Sequence, residues 1–292
     1  MLSNHRAVLS AGAFSVFAGG RPSQSFMLDV EFAQLSDPGR VREHNEDHLG
    51  YALPATPAQV RSHGWLFALA DGVGGQAHGE VASEAAVEKV LAGFRDAPAG
   101  EPHSALLSRL VQAANLRVFE AGHLSGRPGP AMATTIVACA LRFDRAAVAH
   151  VGDSRCYLIR RGQAAALTRD HTFSNEQARL GLLTVQEAAD SLHRHLLSRA
   201  LGTEMVVSVD TSEHHVLAGD VLLLCSDGLH GALSGQEMAR FVSDTSDLNS
   251  AAQKLVALAN HRDGSDNISV QLIRVRSVER VGMYRGRPYR LA

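Results

Sequence analysis

Layered α+β architecture is what this sequence predicts, and two observations carry the expectation. Short apolar runs of strand length come in clusters: 28–36, WLFALA at 65–70, three runs at 134–142, 146–151 and 155–160, then 206–210, VLLLC at 221–225 and NISVQLIRV at 267–275. Between the clusters lie paired segments of helical periodicity, 79–95 with 104–121 and 235–243 with 247–260. Grouped strands and paired helices argue for α+β packing or a layered sandwich and against strict βαβ alternation.

Taken in order, residues 28–36 form a strand that enters the turn Ser36-Asp37-Pro38-Gly39. In 79–95, Val87, Val90, Leu91 and Phe94 recur at i, i+3, i+4 and i+7; Leu107, Leu110, Val111, Ala114 and Val118 repeat the stripe in the next helix. A Gly/Pro loop, Gly126 to Pro130, follows. Turns at Asp144-Arg145 and Gly152-Asp153-Ser154 join the three strands after it, which suggests a meander. Residues 174–200 read as helical with a break near Gly181. The final stretch, 276–292, carries five arginines and one glutamate with little periodicity.

Composition excludes several classes. The 292 residues are 45% apolar and 20% charged with a net charge of −2, so nothing global points to nucleic acid or an anionic membrane. No apolar run approaches the ~20 residues that span a bilayer. Residues 7–20 resemble a signal-peptide core only faintly, being diluted by Ser and Gly behind a single arginine. Residues 1–27 are expected to be a disordered extension, with Met27 as an alternative translation start. Cys139, Cys156 and Cys225 lie in apolar strand-like runs without a CxxC pair, as reduced, buried thiols of a cytoplasmic protein do.

The aspartates carry the chemistry. Three apolar strands each deliver a carboxylate as they end: WLFALA leads to Asp71-Gly72, VAHVG to Asp153, and VLLLC-Ser to Asp227-Gly228. Asp266-Asn267 does the reverse and opens a strand. If neighbouring strands are antiparallel, ends and beginnings share one rim and four carboxylates converge. Any one Asp-Gly is ordinarily a turn dipeptide; four such sites on buried strands are not. Like charges held together repel unless a cation neutralises them. Oxygen ligands favour a hard ion, Mg²⁺, Mn²⁺ or Ca²⁺, and no EF-hand loop is present. Arg42-Glu43-His44-Asn45-Glu46-Asp47 adds two carboxylates, Glu46 and Asp47, able to reach such ions or their waters, and Arg42, whose guanidinium suits phosphate.

Together these segments resemble the metal-dependent protein phosphatase family, the protein phosphatase 2C family, in its compact bacterial form. The resemblance rests on SDPGRVREHNED (36–47), ALADGVGG (68–75), AMATT (131–135), AHVGDSRCYLIRRG (149–162), LTRDHT (167–172), SRALG (198–202), LLLCSDGL (222–229) and GSDNISV (264–270), in the family's order and spanning 28–275. It implies an α-β-β-α sandwich of two antiparallel sheets flanked by helix pairs, with 28–275 as catalytic domain and 276–292 as an arginine-bearing tail. It implies that Asp71, Asp227 and Asp266 bind one Mn²⁺ or Mg²⁺, and that Asp71, the Gly72 carbonyl and Glu46, directly or through water, hold a second. Asp47 would act one layer behind. Asp153, with Asp227, matches a third, weaker site. Arg42 matches the phosphate-binding arginine, and 171–195 a mobile flap.

The reaction implied is hydrolysis of phosphoserine and phosphothreonine in proteins, reversing a bacterial Ser/Thr kinase. Two ions about 3.5–4 Å apart activate one water, so no thiol or phospho-enzyme is needed. A cytoplasmic monomer acting on phosphoproteins, with no nucleic-acid or membrane partner, is expected. Two departures stand out. Val73 occupies the place where animal members carry a histidine proposed as general acid, which leaves a metal-bound water or a flap histidine such as His171. Ala133 stands where the family often has Gly. The alternatives are a catalytically silent binding module on the same fold, which would ordinarily have lost metal aspartates, and a regulatory phosphatase with a single anti-σ-antagonist-type substrate, which is normally fused to sensor domains.

Overall fold

The computed structural model describes residues 8–13, 28–73, 78–124, 132–191, 193–278, 281–284 and 287–290. In chain order its elements are β1 (Val8–Ala13), β2 (Asp29–Asp37), β3 (Asp47–Ala52), α1 (Pro57–Ser62), β4 (Trp65–Asp71), α2 (Gly79–Arg95), α3 (His103–Leu124), β5 (Ile136–Arg142), β6 (Arg145–Val151), β7 (Arg155–Arg160), β8 (Gln163–Ala166), α4 (Phe173–Arg179), α5 (Val185–Asp190), β9 (Asp210–His215), β10 (Val221–Cys225), α6 (Asp227–His230), α7 (Gly235–Ser243), α8 (Leu248–Arg262), β11 (Ile268–Ser277), β12 (Val281–Tyr284) and β13 (Arg287–Arg290). One antiparallel sheet has the order β1-β2-β11-β10-β7-β8 and the other β3-β4-β5-β6-β9.

Three apolar layers hold the sandwich. Successive residues of a strand face opposite ways, and the strands use both faces. In β4, Leu66, Ala68 and Ala70 pack with α2 and α3, while Trp65, Phe67 and Leu69 face the other sheet. In β10, Val221, Leu223 and Cys225 pack with α7 and α8, while Leu222 and Leu224 enter the layer between the sheets. Burial on both faces explains why WLFALA and VLLLC are unbroken apolar runs. The result is the α-β-β-α sandwich. One polar tie crosses the middle layer: Gln271 Nε2 donates to Gln34 Oε1 at 2.8 Å and to the Gly50 carbonyl of the opposing sheet at 3.1 Å. Helix starts are capped locally: Ser234 and Glu237 form a capping box on α7, and Asp247 accepts from Asn249 and Ser250 on α8.

The structure corrects several sequence expectations. The three strands from 134 to 160 are no meander, because β5 and β6 pair in one sheet while β7 joins β10 in the other. The chain crosses between sheets at Gly152-Asp153-Ser154. The helix expected over 174–200 is two short helices, interrupted where Gly181 adopts φ +74°. The return is extended because Phe173 N donates to the Leu196 carbonyl and Ser198 N to that of His171, both at 2.9 Å. The strand expected at 206–210 is instead β9, an edge strand beyond it whose sequence DTSEHH is polar. β3, α1 and β8 lay in stretches the periodicity did not mark. Backbone pairing of β1 with β2 replaces disorder over Val8–Ala13; the rest of the expected 1–27 extension, Met27 included, lies outside the described residues. The arginine-bearing tail contributes the end of β11 and the hairpin β12–β13.

Gly152 makes the crossing possible. Its φ is +107°, and a Cβ there would lie 2.6 Å from Thr135 Cγ2. Gly152→Ala therefore combines left-handed strain with a clash, and a loss of about 2–5 kcal/mol is expected. Urea denaturation of wild type and variant measures it.

Candidate metal centre

Strand ends of both sheets meet on one rim. β4 ends at Asp71, whose antiparallel register sets it beside Asp47, the first residue of β3. β6 stops two residues before Asp153, and β10 two before Asp227, the first residue of α6. β11 starts two residues after Asp266, and Cys225 of β10 pairs with Val270 of β11. An open cleft of about 660 Å³ is lined by Arg42, Asp71, Gly72, Asp153, Asp227 and Asp266. Glu46 and Asp47 stand behind this lining rather than on it.

Hydrogen bonds to backbone, hydroxyl and guanidinium groups position Asp71, Asp47 and Asp266. Asp71 N donates to Thr135 Oγ1 at 3.0 Å, and its carbonyl accepts from Thr135 N and Thr134 Oγ1, both at 2.8 Å. Asp47 Oδ2 accepts from Ser226 Oγ at 2.8 Å. Asp266 Oδ1 accepts from Asn267 N at 2.9 Å, and its Oδ2 from Arg42 Nη2 at 2.8 Å. Asn267 reaches back across the site: Oδ1 accepts from Glu46 N at 2.7 Å, while Nδ2 donates to the carbonyls of Pro38 and His44. This one amide shapes the loop that presents Arg42 and Glu46. Glu46 lies against the start of α2, where a Cβ on Gly79 would come 2.8 Å from its Oε1. A Cβ on Gly72 would meet the Gly79 carbonyl at 2.4 Å, so glycine alone lets the loop and helix approach.

Electrostatics mark the rim as strained without a counter-ion. Burial, with the charges of Asp47, Asp227, Asp153 and Asp266, pushes the Asp71 carboxyl well above the usual range. Burial first and Asp227 second do the same to Asp153. Burial, reinforced by Asp227 and Asp266, raises Asp47 to about 7 despite hydroxyl donors. Asp227 is raised by burial and by Asp266. The Oδ1 of Asp47 is buried without a hydrogen-bond partner. Oxygen donors, mutual repulsion and an orphaned carboxylate oxygen fit hard divalent cations, which would relieve all three.

The histidine at the cleft is not the one expected. His171 is fully buried, away from the cleft lining. His195 lines the cleft, with Nδ1 3.9 Å from Asp227 Oδ2 and its side chain 58% exposed. Nothing in its local sequence distinguishes it from His193. His150, His171 and Asp210 form a separate cluster of ligand-type groups. There Gly152 N donates to His171 Nδ1 at 3.1 Å, which leaves the ring proton on Nε2, 3.4 Å from Asp210 Oδ2. A ligating histidine offers a lone pair to the metal and donates its other N–H; His171 is arranged the opposite way. With the His150 ring stacked on it at 4.6 Å, the cluster ties the base of the 171–195 segment to β6 and β9. Arg199 completes that tie through Asp210 at 2.9 Å and Glu176 at 3.1 Å.

Ala133 is buried, and its carbonyl accepts from Val73 N at 3.0 Å, holding Val73 at the cleft. The three cysteines are buried and free, and burial pushes the Cys225 thiol up to about 12, far from a nucleophilic thiolate.

A sandwich of this topology with a carboxylate rim defines a metal-dependent protein phosphatase. Residues 40–261 match the family described as Protein phosphatase 2C, and the chain belongs to it. It is 33% identical over 255 residues to the serine/threonine phosphatase stp of Listeria innocua, covering 86% of this chain and 96% of that protein. It is also similar to the solved serine/threonine phosphatase of S. agalactiae, with TM-score 0.76, 33% identity and coverage of 85% of this chain and all of that one. The catalytic domain of the phosphatase PstP, solved in complex with two manganese ions, aligns with TM-score 0.72 and 32% identity over 86% of this chain and all of the domain. No helix among the described residues is long and apolar enough to cross a membrane.

Proposed function

We propose that this chain hydrolyses phosphoserine and phosphothreonine in cytoplasmic proteins as a bacterial monomer, opposing a Ser/Thr kinase. The observation that carries the reading is the meeting of Asp71, Asp153, Asp227 and Asp266 with Arg42 on one cleft. Asp71, Asp227 and Asp266 would hold one divalent ion; Asp71, the Gly72 carbonyl and, directly or through water, Glu46 would hold a second; Asp153 with Asp227 offers a third, weaker place. Asp47 orients the set from behind. Mn²⁺ is favoured by the manganese pair in PstP, and Mg²⁺ suits the same oxygens. When bound, such ions would supply Lewis acidity toward phosphate oxygens and lower the pKa of a water.

The side chains do the rest. Arg42 binds the phosphate oxygens and, with Asn267 shaping its loop, orients the ester over the carboxylates. Arg42→Ala should raise KM about 10–100-fold, the scale of a lost charge-assisted hydrogen bond, with kcat little changed. Steady-state kinetics decides this, and a fall confined to kcat would assign Arg42 elsewhere. His195, in its protonated form, donates a proton from Nδ1 to the leaving seryl or threonyl oxygen and is left as the neutral imidazole. His195→Gln should slow a phosphothreonyl peptide about 100-fold and p-nitrophenyl phosphate little, because nitrophenolate leaves without a proton. Equal effects on both would remove His195 from this role.

Purified protein with Mn²⁺ should release phosphate from phosphothreonyl and phosphoseryl peptides, and alkylation of cysteines should leave the rate intact. Clear Mn²⁺ binding by calorimetry with no phosphate release would favour the silent binding module.

A further inference from the structure

The cleft continues past the carboxylate rim to a wall formed by Thr203 and Glu204. The next two residues, Met205 and Val206, are 61% and 70% exposed. Their loop is held firmly. Gly202 N donates to Asn115 Oδ1 at 2.9 Å, and Asn115 Nδ2 donates to the Glu204 and Met205 carbonyls at 2.9 and 3.1 Å. Gln112 adds two bonds, Nε2 to the Met205 carbonyl at 3.2 Å and Oε1 from Val207 N at 3.3 Å. Asn115 is wholly buried. A Cβ at Gly202, whose φ is +87°, would lie 2.3 Å from the Met132 carbonyl, so the entry to the loop is equally constrained.

A loop fixed by a buried amide loses little entropy on binding. Here it carries two adjacent apolar side chains into solvent, where each forfeits the benefit of burial. Leu196, on the cleft lining, is 53% exposed as well. Thr203 and Glu204, on the cleft lining, place Met205 and Val206 directly beyond the site at which the phosphoresidue is held. The occupant of this surface is therefore the polypeptide that carries that residue.

Resting on the function proposed above, we propose that Met205 and Val206, with Leu196, form a subsite for an apolar side chain flanking the phosphoserine or phosphothreonine. The preferred substrate class is a phosphopeptide segment with a Leu, Met or Val close to the modified residue.

The test compares wild type with the double variant Met205→Ser/Val206→Ser on three substrates with Mn²⁺. These are p-nitrophenyl phosphate, a phosphothreonyl peptide with leucines on both sides, and the same peptide with serines in their place. Wild type should favour the leucine peptide, and the variant should lose about tenfold in kcat/KM on it, the scale of a lost apolar contact, with the other two unchanged. Equal rates of wild type on both peptides, or equal losses of the variant on all three substrates, would overturn the subsite. Absence of any wild-type turnover, including p-nitrophenyl phosphate, would instead strike the proposed function. Because both side chains are exposed, the variant should keep the wild-type melting temperature.

Discussion

Asp227→Asn should abolish Mn²⁺-dependent turnover while leaving the fold intact. Asp227 stands at the centre of the rim: it lies within hydrogen-bonding reach of Asp71, repels Asp266, and faces His195. The proposed ligand sets for the first and third ions both include it. Asparagine keeps the volume and one acceptor oxygen but removes the charge. A fall in kcat of at least about 100-fold is expected, the scale of losing one preorganised stabilising group. The same change should not lower the melting temperature of the metal-free protein, since it removes one of several mutually repelling carboxylates. Near-full activity with Mn²⁺ would place the metal site elsewhere, and a collapsed melting temperature would mean that Asp227 is structural.

Metal should stabilise the protein, and more so as pH rises. Without metal, burial and neighbouring charge hold Asp47 near 7 and lift Asp71 and Asp153 well above the ordinary range. In the unfolded chain these groups titrate near 4. Between about pH 4 and 7 the folded state therefore keeps protons that the unfolded chain has released, and stability falls as pH rises through that window. Divalent ions replace those protons. Mn²⁺ at about 100 times its Kd adds about 2.7 kcal/mol, or about 5–10 °C in a chain of this size. Metal-free protein should melt lower at pH 8 than at pH 5.5, the Mn²⁺ increment should grow over the same range, and binding should release protons, read by calorimetry in buffers of different ionisation enthalpy. A pH-independent increment with no proton release would sink this account, as would a melting temperature unmoved by EDTA.

Much of this was legible from local pattern. WLFALA and VLLLC announce strands buried on both faces, and an aspartate just past each marks a carboxylate leaving the core. The stripes Val87-Val90-Leu91-Phe94 and Leu107-Leu110-Val111-Ala114-Val118 lie on the helix faces that cover one sheet. Residue types at the rim, oxygen donors and one arginine, were enough to name a hard metal and a phosphate.

Position in space was a different matter. Periodicity reports which faces of a strand are apolar, not which sheet it joins, so β7 read as a third meander strand although Gly152 turns it across the sandwich. β9 is a polar edge strand, and the segment 196–198 is held extended by bonds to His171 and Phe173. Asn267, Asn115 and His195 act on groups far away in the chain, and such partners leave no local trace. Sequence alone sufficed for the class of fold and the chemistry of the rim, because burial and charge are properties of residues and their near neighbours. Folding was needed to choose His195 over His171, to bury Asp47 behind Asp71, and to fix the loop before Val207, because those outcomes depend on which distant backbone groups find partners.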